Sequence, residues 1–217
     1  TRVHRIIIEN GRAVGVVAES GGEMFEVRAG EVIVSAGAVV SPQLLMLSGI
    51  GPAGHLEDHG INVIADVPGV GQNLQDHPKV FVVWSTVPDY EFDFERNRLQ
   101  LALRCTANES YERNDMAVYM DGISTGRLDR GGEAKKPIGV EMNLVLQSAD
   151  SRGEIRLNST DMTDQPTIDF NYMSEPRDLE RMRDGVRKLV VIGEQPEFLK
   201  IADEMTQPTA DIVDDDR

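Results

Sequence analysis

The chain has 217 residues, with 37 acidic and 22 basic side chains, and its formal net charge is -15 at pH 7. Nucleic acid and anionic membrane surfaces would repel this charge, so we expect neither as a partner. A hydrophobic content of 40% is enough for a core, and the length allows one large domain or parts of two. With Cys105 as the single cysteine, an intrachain disulfide and a thiolate metal cluster are excluded.

The sequence also bears on location. No apolar stretch approaches the roughly 20 residues that a membrane-spanning helix needs. The amino terminus, TRVHRIIIENGRAVGVV, lacks the pattern of a signal peptide and is typical of the middle of a domain. The single cysteine is compatible with a reducing compartment. We therefore expect no membrane span and a cytoplasmic location.

Residues 1–30 predict a small antiparallel meander. A strand to Glu9 is followed by a turn at Asn10-Gly11, and a second strand around 14–19 is followed by a turn at Gly21-Gly22 and a third strand. Gly and Asn in such positions supply the backbone conformations that tight hairpin turns require.

A buried strand and a turn of small residues are predicted next. Glu31 to Ser35 is a short β-branched run, which indicates a strand. Ligands of open α/β sheets lie at the carboxyl ends of strands, where small side chains let a cofactor approach the backbone. The candidate cofactor-binding residues are therefore Ser35, Ala36, Gly37 and Ala38.

A buried helix is expected from Pro42 to Ser48. Ser41 has the properties of an N-cap, and Pro42 would occupy the first helical position, where its missing N–H has no cost. The side chains of this segment are apolar nearly all round, and Gly49 supplies a C-terminal stop.

The string Gly49-Ile50-Gly51-Pro52-Ala53-Gly54 has the spacing of a dinucleotide fingerprint but follows a helix, where the fingerprint requires a strand. We interpret it as a turn before a short helix from Ala53 to His59. His55 and His59 are four residues apart and could share one face for a metal. Since Leu56 follows the first histidine and no third ligand is suggested, we favour a solvent-facing pair and predict no metal site.

From Lys79 the pattern changes, which predicts a domain boundary near residues 76–78. The apolar pattern indicates strands at 79–87, 116–120, 137–147 and 153–158, with a polar, loop-rich excursion over 105–136. Apolar residues within 91–104 are interpreted as a helix. The acidic end, Asp214-Asp215-Asp216, is expected to be a surface tail.

A second helix is predicted after Ser174, a candidate N-cap, with Pro176 in the first turn. Apolar residues repeat at helical spacing and indicate a face that packs on a sheet. Its basic residues lie off this stripe, on a face that we expect to be solvated. The stripe consists of Leu179, Met182, Val186, Leu189 and Val190, and the basic residues are Arg177, Arg181, Arg183 and Lys188.

Several ordered motifs together resemble the glucose-methanol-choline (GMC) oxidoreductases, near their choline dehydrogenase and alcohol dehydrogenase branch. They are SAGA at 35–38, SP at 41–42, LSGIGP at 47–52, PGVG at 68–71, NLQDH at 73–77 and the run from Ser148 to Val190. The resemblance implies an FAD enzyme that oxidises the CH–OH group of a small-molecule alcohol by hydride transfer to flavin N5. It also implies that Val3 lies against the adenine end of FAD, although a strand valine packed in a core explains that position equally well.

The expected fold class is α/β plus α+β. Residues 1–75 would form part of a Rossmann-like FAD-binding domain, and residues 76–217 would form most of a substrate domain with an antiparallel sheet packed by helices. The resemblance places the dinucleotide fingerprint before this segment and the catalytic histidine after it. We therefore expect a central portion of such an enzyme, name no catalytic residue, and expect the chain alone to be inactive without the remaining amino- and carboxyl-terminal segments.

Two other interpretations remain open at this stage. The chain could be a binding or assembly module that uses the fold without redox chemistry, since fold does not fix function. It could also be one piece of a split enzyme whose complementary chains cover its sheet edges.

Overall fold

A computed structural model describes residues 1–95, 97–108, 110–125 and 136–208. The predicted acidic tail at Asp214-Asp215-Asp216 and part of the predicted loop-rich excursion lie outside these residues. The chain forms two compact units. The first contains Thr1–Gln75 and Arg152–Tyr172, and the second contains Asp76–Ser151 and Met173–Arg217.

This division differs from the expectation that 76–217 form one domain. Residues 152–172 belong to the first unit because their strand β11 (Gly153–Arg156) pairs with β6 (Gln72–Leu74) on one side and with β12 (Thr167–Asp169) on the other. Pairing between strands about 80 positions apart leaves no local signal in the sequence.

The meander at the start of the first unit is confirmed. It consists of β1 (Arg2–Glu9), β2 (Arg12–Ser20) and β3 (Glu23–Arg28), paired in that order and antiparallel. Asn10 and Gly11 both adopt positive φ, as do Gly21 and Gly22, so the two predicted turns use residues that tolerate this conformation.

The rest of the first unit surrounds a small apolar core of Met46, Leu56, Ile155 and Leu157. Met46 and Leu56 come from two helices, and Ile155 comes from strand β11. The elements are α1 (Gly37–Leu47), β4 (Ile50–Gly51), α2 (Ala53–Asp58) and β5 (Ala65–Asp66), with β4 and β5 parallel. Gly49 follows α1 with φ +81, which confirms the predicted stop.

Two predictions for this region are wrong. Residues 31–35 form no strand, and Ile33 is 82% exposed, because no described strand lies beside them to accept their backbone hydrogen bonds. Helix α1 begins at Gly37 with Ala36 as its N-cap, so Ser41 is not the N-cap and Pro42 lies inside the helix. The Ser41 hydroxyl instead accepts a hydrogen bond from Ala36 N at 3.1 Å.

The second unit contains a five-stranded antiparallel sheet with the strand order β13-β7-β10-β9-β8. Its central strand β10 is buried at every position. Helix α3 (Pro176–Gly193) packs against it, and Leu144, Met182 and Leu189 meet in the core. The strands are β7 (Lys79–Thr86), β8 (Leu99–Cys105), β9 (Met116–Ser124), β10 (Gly139–Leu146) and β13 (Ala202–Gln207), with a 3-10 helix at Phe198–Lys200.

The strands predicted at 79–87, 116–120 and 137–147 are confirmed, whereas the helix predicted over 91–104 is wrong. Leu99, Leu101 and Leu103 alternate with period two along edge strand β8, and this is the spacing of a strand. Helix α3 is confirmed, but its N-cap is Glu175 and no side chain caps it, so Ser174 does not have that role. No helix in the described part of the chain is long and apolar enough to cross a membrane.

Candidate functional site

The predicted cofactor turn lies at the start of α1. Ser35 and Ala36 precede the helix, and Gly37 and Ala38 are its first two residues, all four exposed. Gly37 has φ +87, and no atom lies within 4 Å of the position that a Cβ would occupy. Glycine is therefore required here by backbone conformation, and the space beside it is open to a ligand.

The first turn of α1 has the properties of an anion-binding helix terminus. No side chain caps it, and none of its residues is acidic. The first N–H groups of a helix have no intrahelical partner, and the helix dipole makes this end favourable for negative charge. A phosphate group of a cofactor fits this chemistry.

A cavity of about 310 Å³ lies beside the same helix within the first unit. One wall is a face of α1, and the other is the glycine-containing loop 69–75 together with Ile155. Among the predicted site residues, Ala38 lines this cavity. The helical wall consists of Ala38, Ser41, Pro42 and Leu45, which are spaced as one face of a helix.

Gly71 holds the second wall of this cavity in place. Its φ is +85, and a Cβ at this position would lie 2.3 Å from the Ile155 backbone oxygen. The Gly71 oxygen also accepts a hydrogen bond from Ile155 N at 2.6 Å. Gly71 therefore approaches β11 through backbone atoms, and the Gln72 side chain adds a hydrogen bond from its Nε2 to Glu154 Oε2 at 2.8 Å.

Val3 is distant in sequence from the turn Ser35–Ala38. It is a half-buried residue of β1, opposite Ala18 on β2. Strand β1 contacts α1 near the carboxyl end of the helix, where Ile6 N donates a hydrogen bond to the Ser48 hydroxyl at 2.8 Å. The structure brings Ser35, Ala36, Gly37 and Ala38 together at the opposite end of α1, and the role of Val3 stays a prediction.

The interpretation of His55 and His59 as a solvent-facing pair is wrong for His55, which is 8% exposed. The Leu157 backbone N–H donates a hydrogen bond to Nε2 of His55 at 3.0 Å, and the Arg156 guanidinium lies 3.1 Å from its Nδ1. These partners are about 100 positions away in sequence, so the histidine spacing could not reveal them. His55 joins α2 to β11.

The environment of His55 predicts a pH-dependent stability. Burial first, then the positive charge of Arg156 and the proximity of His59, lower the pKa of His55 below 6.5. Its neutral form is therefore favoured in the folded state, and this stabilisation is fully present above pH 6.5. As the pH falls from 6.5 through the lower folded pKa, the unfolded chain takes up a proton first and stability is lost.

We expect the urea midpoint of the wild-type chain to decrease as the pH is lowered from 7.5 to 5. We expect His55→Gln to reduce this pH dependence. His77→Gln, a change at an exposed histidine, is the matched control and should leave the pH dependence as in the wild type. An equal pH dependence in the wild type and His55→Gln would contradict the assignment.

Across the residues that the structure describes, no group of three or more His, Cys, Asp or Glu side chains could hold a metal ion.

Gln43 is a buried polar residue near the site that the sequence analysis did not single out. It is buried on α1, and its Nε2 donates a hydrogen bond to the Asp164 backbone oxygen at 2.8 Å. Gln43 thus attaches α1 to the chain that follows β11.

Comparison with known proteins defines the class. Residues 1–79 and 149–217 match the amino- and carboxyl-terminal family signatures described as GMC oxidoreductase. The chain belongs to the GMC oxidoreductase family, whose members bind FAD. Its fold is a partial GMC fold, with an amino-terminal FAD-binding segment and a carboxyl-terminal substrate-domain region that contains antiparallel sheets.

The sequence relatives include oxygen-dependent choline dehydrogenases. The chain is 40% identical over 205 residues to the protein of Sinorhizobium medicae, covering 84% of this chain and 37% of the relative. It is 37% identical over 235 residues to the protein of Rhizobium rhizogenes, and the match covers 98% of this chain and 43% of that relative. The chain therefore spans well under half the length of these relatives.

Solved structures show the same fold. Pyridoxine 4-oxidase from Mesorbium loti superposes with a TM-score of 0.79 at 24% identity, covering 96% of this chain and 41% of that structure. A formate oxidase of Aspergillus oryzae superposes with a TM-score of 0.79 at 24% identity, and the match covers 94% of this chain and 45% of that structure.

Proposed function

We propose that this chain is a segment of an FAD-dependent oxidoreductase that oxidises the CH–OH group of a small-molecule alcohol. The observation that carries the proposal is the family membership combined with an uncapped helix start behind the open Gly37 turn. Bound FAD would supply the redox chemistry by accepting a hydride at N5. Ser35, Ala36, Gly37 and Ala38 would hold the cofactor by close approach of their backbone.

The chain's own residues favour this cofactor in two ways. The free N–H groups of α1 would face a phosphate group, and the absence of acidic residues from the first turn removes charge repulsion. The cavity of about 310 Å³ is at the lower end of the range for small-molecule sites. It is therefore suited to part of a dinucleotide, and the remaining segments of the same enzyme would supply the other contacts.

Flavin retention tests this proposal. We expect the 217-residue chain, purified without added FAD, to contain far less than stoichiometric flavin. Mixed with FAD and the separately expressed amino-terminal segment of the Sinorhizobium medicae relative, it should retain flavin through gel filtration, as measured at 450 nm. Stoichiometric flavin in the unsupplemented chain would refute the expectation that the segment needs its complement.

A matched pair of glycine variants separates a cofactor role from a backbone effect. Gly37 and Gly60 both have positive φ, and a Cβ on either would meet no atom within 4 Å. Alanine at either position should strain the backbone similarly. We expect only Gly37→Ala to reduce flavin retention in the mixture, by tenfold or more, while Gly60→Ala retains it. Equal retention by the two variants would remove the turn from the cofactor site.

Of the two alternatives, only the binding or assembly module gives a result in this mixture that differs from the proposed one. A binding or assembly module would stay folded and monomeric, and would acquire no flavin with or without the amino-terminal segment. A split enzyme would form a stable complex with complementary chains and would acquire flavin with them.

A further inference from the structure

The five-stranded sheet of the second unit has two chemically different faces. Leu144 on β10 packs against Gly185 of α3, so this side of the strand faces the helix. Successive side chains of a strand point to opposite faces. Glu141 and Asn143 therefore lie on the face away from α3.

Glu141 is a buried carboxylate on that face, with 8% exposure. The Ser124 hydroxyl donates to its Oε2 at 2.7 Å, and Asn143 Nδ2 donates to its Oε1 at 3.2 Å. Both donors are neutral, and no ion pair joins Glu141 to another described residue. A buried carboxylate without a positive partner is costly, and a cationic ligand would relieve that cost.

Asn143 carries an oxygen without a partner. The residue is 2% exposed, and its Oδ1 accepts no hydrogen bond within the described part of the chain. Native proteins leave few buried polar atoms unpaired, and an amide oxygen requires an N–H or O–H donor. The unpaired oxygen is next to the Glu141 carboxylate, to which the same side chain is hydrogen-bonded.

Two aromatic residues and a second acid lie beside Asn143 and Glu141 on the adjacent strands. Asn143 is flanked by Phe81 on β7 and Tyr119 on β9. The Lys79 ammonium lies 4.5 Å from the centre of the Phe81 ring, so the cation beside this ring is one that the chain itself supplies. Asp121, opposite Glu141 on β9, is paired with Arg98 at 2.9 Å. Among the described residues, Glu141 is therefore the acid of this pair without an ion-pair partner.

We propose that Glu141 and Asn143 form a specificity site for an alcohol that also carries an ammonium group with N–H donors. The ammonium would pair with the Glu141 carboxylate and donate a hydrogen bond to Asn143 Oδ1. A quaternary ammonium such as choline has the charge but no N–H, and a neutral diol has donors but no charge, so both satisfy half of the site. This inference rests on the proposed function for its assignment to a substrate.

Ligand-observed saturation-transfer NMR on the 217-residue chain tests the site directly. The probes are 2-aminoethanol, choline and ethylene glycol. We expect 2-aminoethanol to bind at least tenfold more tightly than either of the others. Equal binding of choline, equal binding of the diol, or no detectable binding of 2-aminoethanol would overturn the proposal.

Variants assign the binding to these residues. Glu141→Gln keeps the shape and removes the charge, and it should abolish the tenfold preference. Glu204→Gln makes the same change at an exposed residue of β13 in the same sheet, and it should leave the preference intact. Retention of the preference by Glu141→Gln would also overturn the proposal.

A second variant protects the test against loss of folding. Asn143→Leu removes the unpaired oxygen and also the Nδ2 donor to Glu141 Oε1, so we expect it to lower the free energy of unfolding by about 1–3 kcal/mol. We expect it to stay folded by circular dichroism and to lose the preference for 2-aminoethanol. Because these measurements need neither FAD nor turnover, their failure leaves the proposed function standing, and failure of flavin retention leaves the binding site standing.

Discussion

Replacing Arg181 with methionine is expected to lower the free energy of unfolding by about 3–5 kcal/mol. Arg181 is 3% exposed, and its guanidinium contacts Asp178 Oδ1 at 2.5 Å and Asp115 Oδ2 at 3.4 Å. Both carboxylates are buried almost completely. Methionine fills a similar volume but leaves the two carboxylates without their cation, which is the costly way to break a buried ion pair. Urea unfolding at pH 7 measures the change.

Arg28→Met is the matched control for this variant. Arg28 pairs with Glu9 and Glu26 at the surface, and all three side chains are about half exposed. Exposed ion pairs contribute little because water already solvates each charge, so the urea midpoint should stay close to that of the wild type. If Arg181→Met lowers the free energy of unfolding no more than Arg28→Met does, the buried network does not stabilise the second unit.

The same variant should change the response to acid. Burial acts to raise the pKa of Asp178, but hydrogen bonds from the backbone of Asp150, from Ser151 and from Arg181 outweigh it and lower the pKa below 3.8. The stabilisation from Asp178 is therefore present above pH 3.8 and is lost as the pH falls through the lower folded pKa. Without Arg181 this pKa should rise, so acid unfolding should begin at a higher pH.

Gly153→Ala is expected to cost about 3 kcal/mol, at the upper end of the range for overpacking. A Cβ at Gly153 would lie 1.9 Å from the Asp169 backbone oxygen and 2.8 Å from the Phe170 carbonyl carbon. These atoms are backbone and cannot rotate away as the end of a side chain could. Since Gly153 begins the central strand of the β12-β11-β6 sheet, this sheet must distort. Thermal unfolding, followed by circular dichroism, measures the loss.

Gly54→Ala is the control for the same chemical change. Gly54 is an exposed residue inside α2, and a Cβ there would meet no atom within 4 Å. Alanine favours a helix over glycine by up to about 1 kcal/mol, so this variant should be slightly more stable than the wild type. Equal stability of the two variants would contradict the steric account of Gly153.

Local patterns in the sequence were sufficient for much of the fold. Turns at Asn10-Gly11 and Gly21-Gly22 determined the meander because few residues adopt positive φ without strain. Apolar alternation identified strands β7, β9 and β10, and helical spacing identified α3. The ordered motifs from Ser35 to His77 were enough to identify the GMC family. Each of these signals depends on residues that are close together in the chain.

The wrong predictions have separate causes. Glu31 to Ser35 has the composition of a strand, but a strand needs a neighbour to accept its hydrogen bonds, and none of the described strands is adjacent. The apolar residues of 91–104 were interpreted as helical, although Leu99, Leu101 and Leu103 alternate with the period of a strand. Helix α1 begins at Gly37, whose φ is +87, so Pro42 lies inside the helix and not at its first position.

The sequence by itself determined the family, the order of most elements and the turn Ser35–Ala38 as the candidate cofactor site. Only the tertiary structure showed which polar residues are buried and which residues they contact. Arg181 lies on the helix face that the sequence predicted to be solvated, yet it is buried against Asp178 and Asp115. His55 is likewise buried by Leu157 and Arg156. Burial and partners arise from contacts between distant segments, and the pattern along one segment does not record which other segment will cover it.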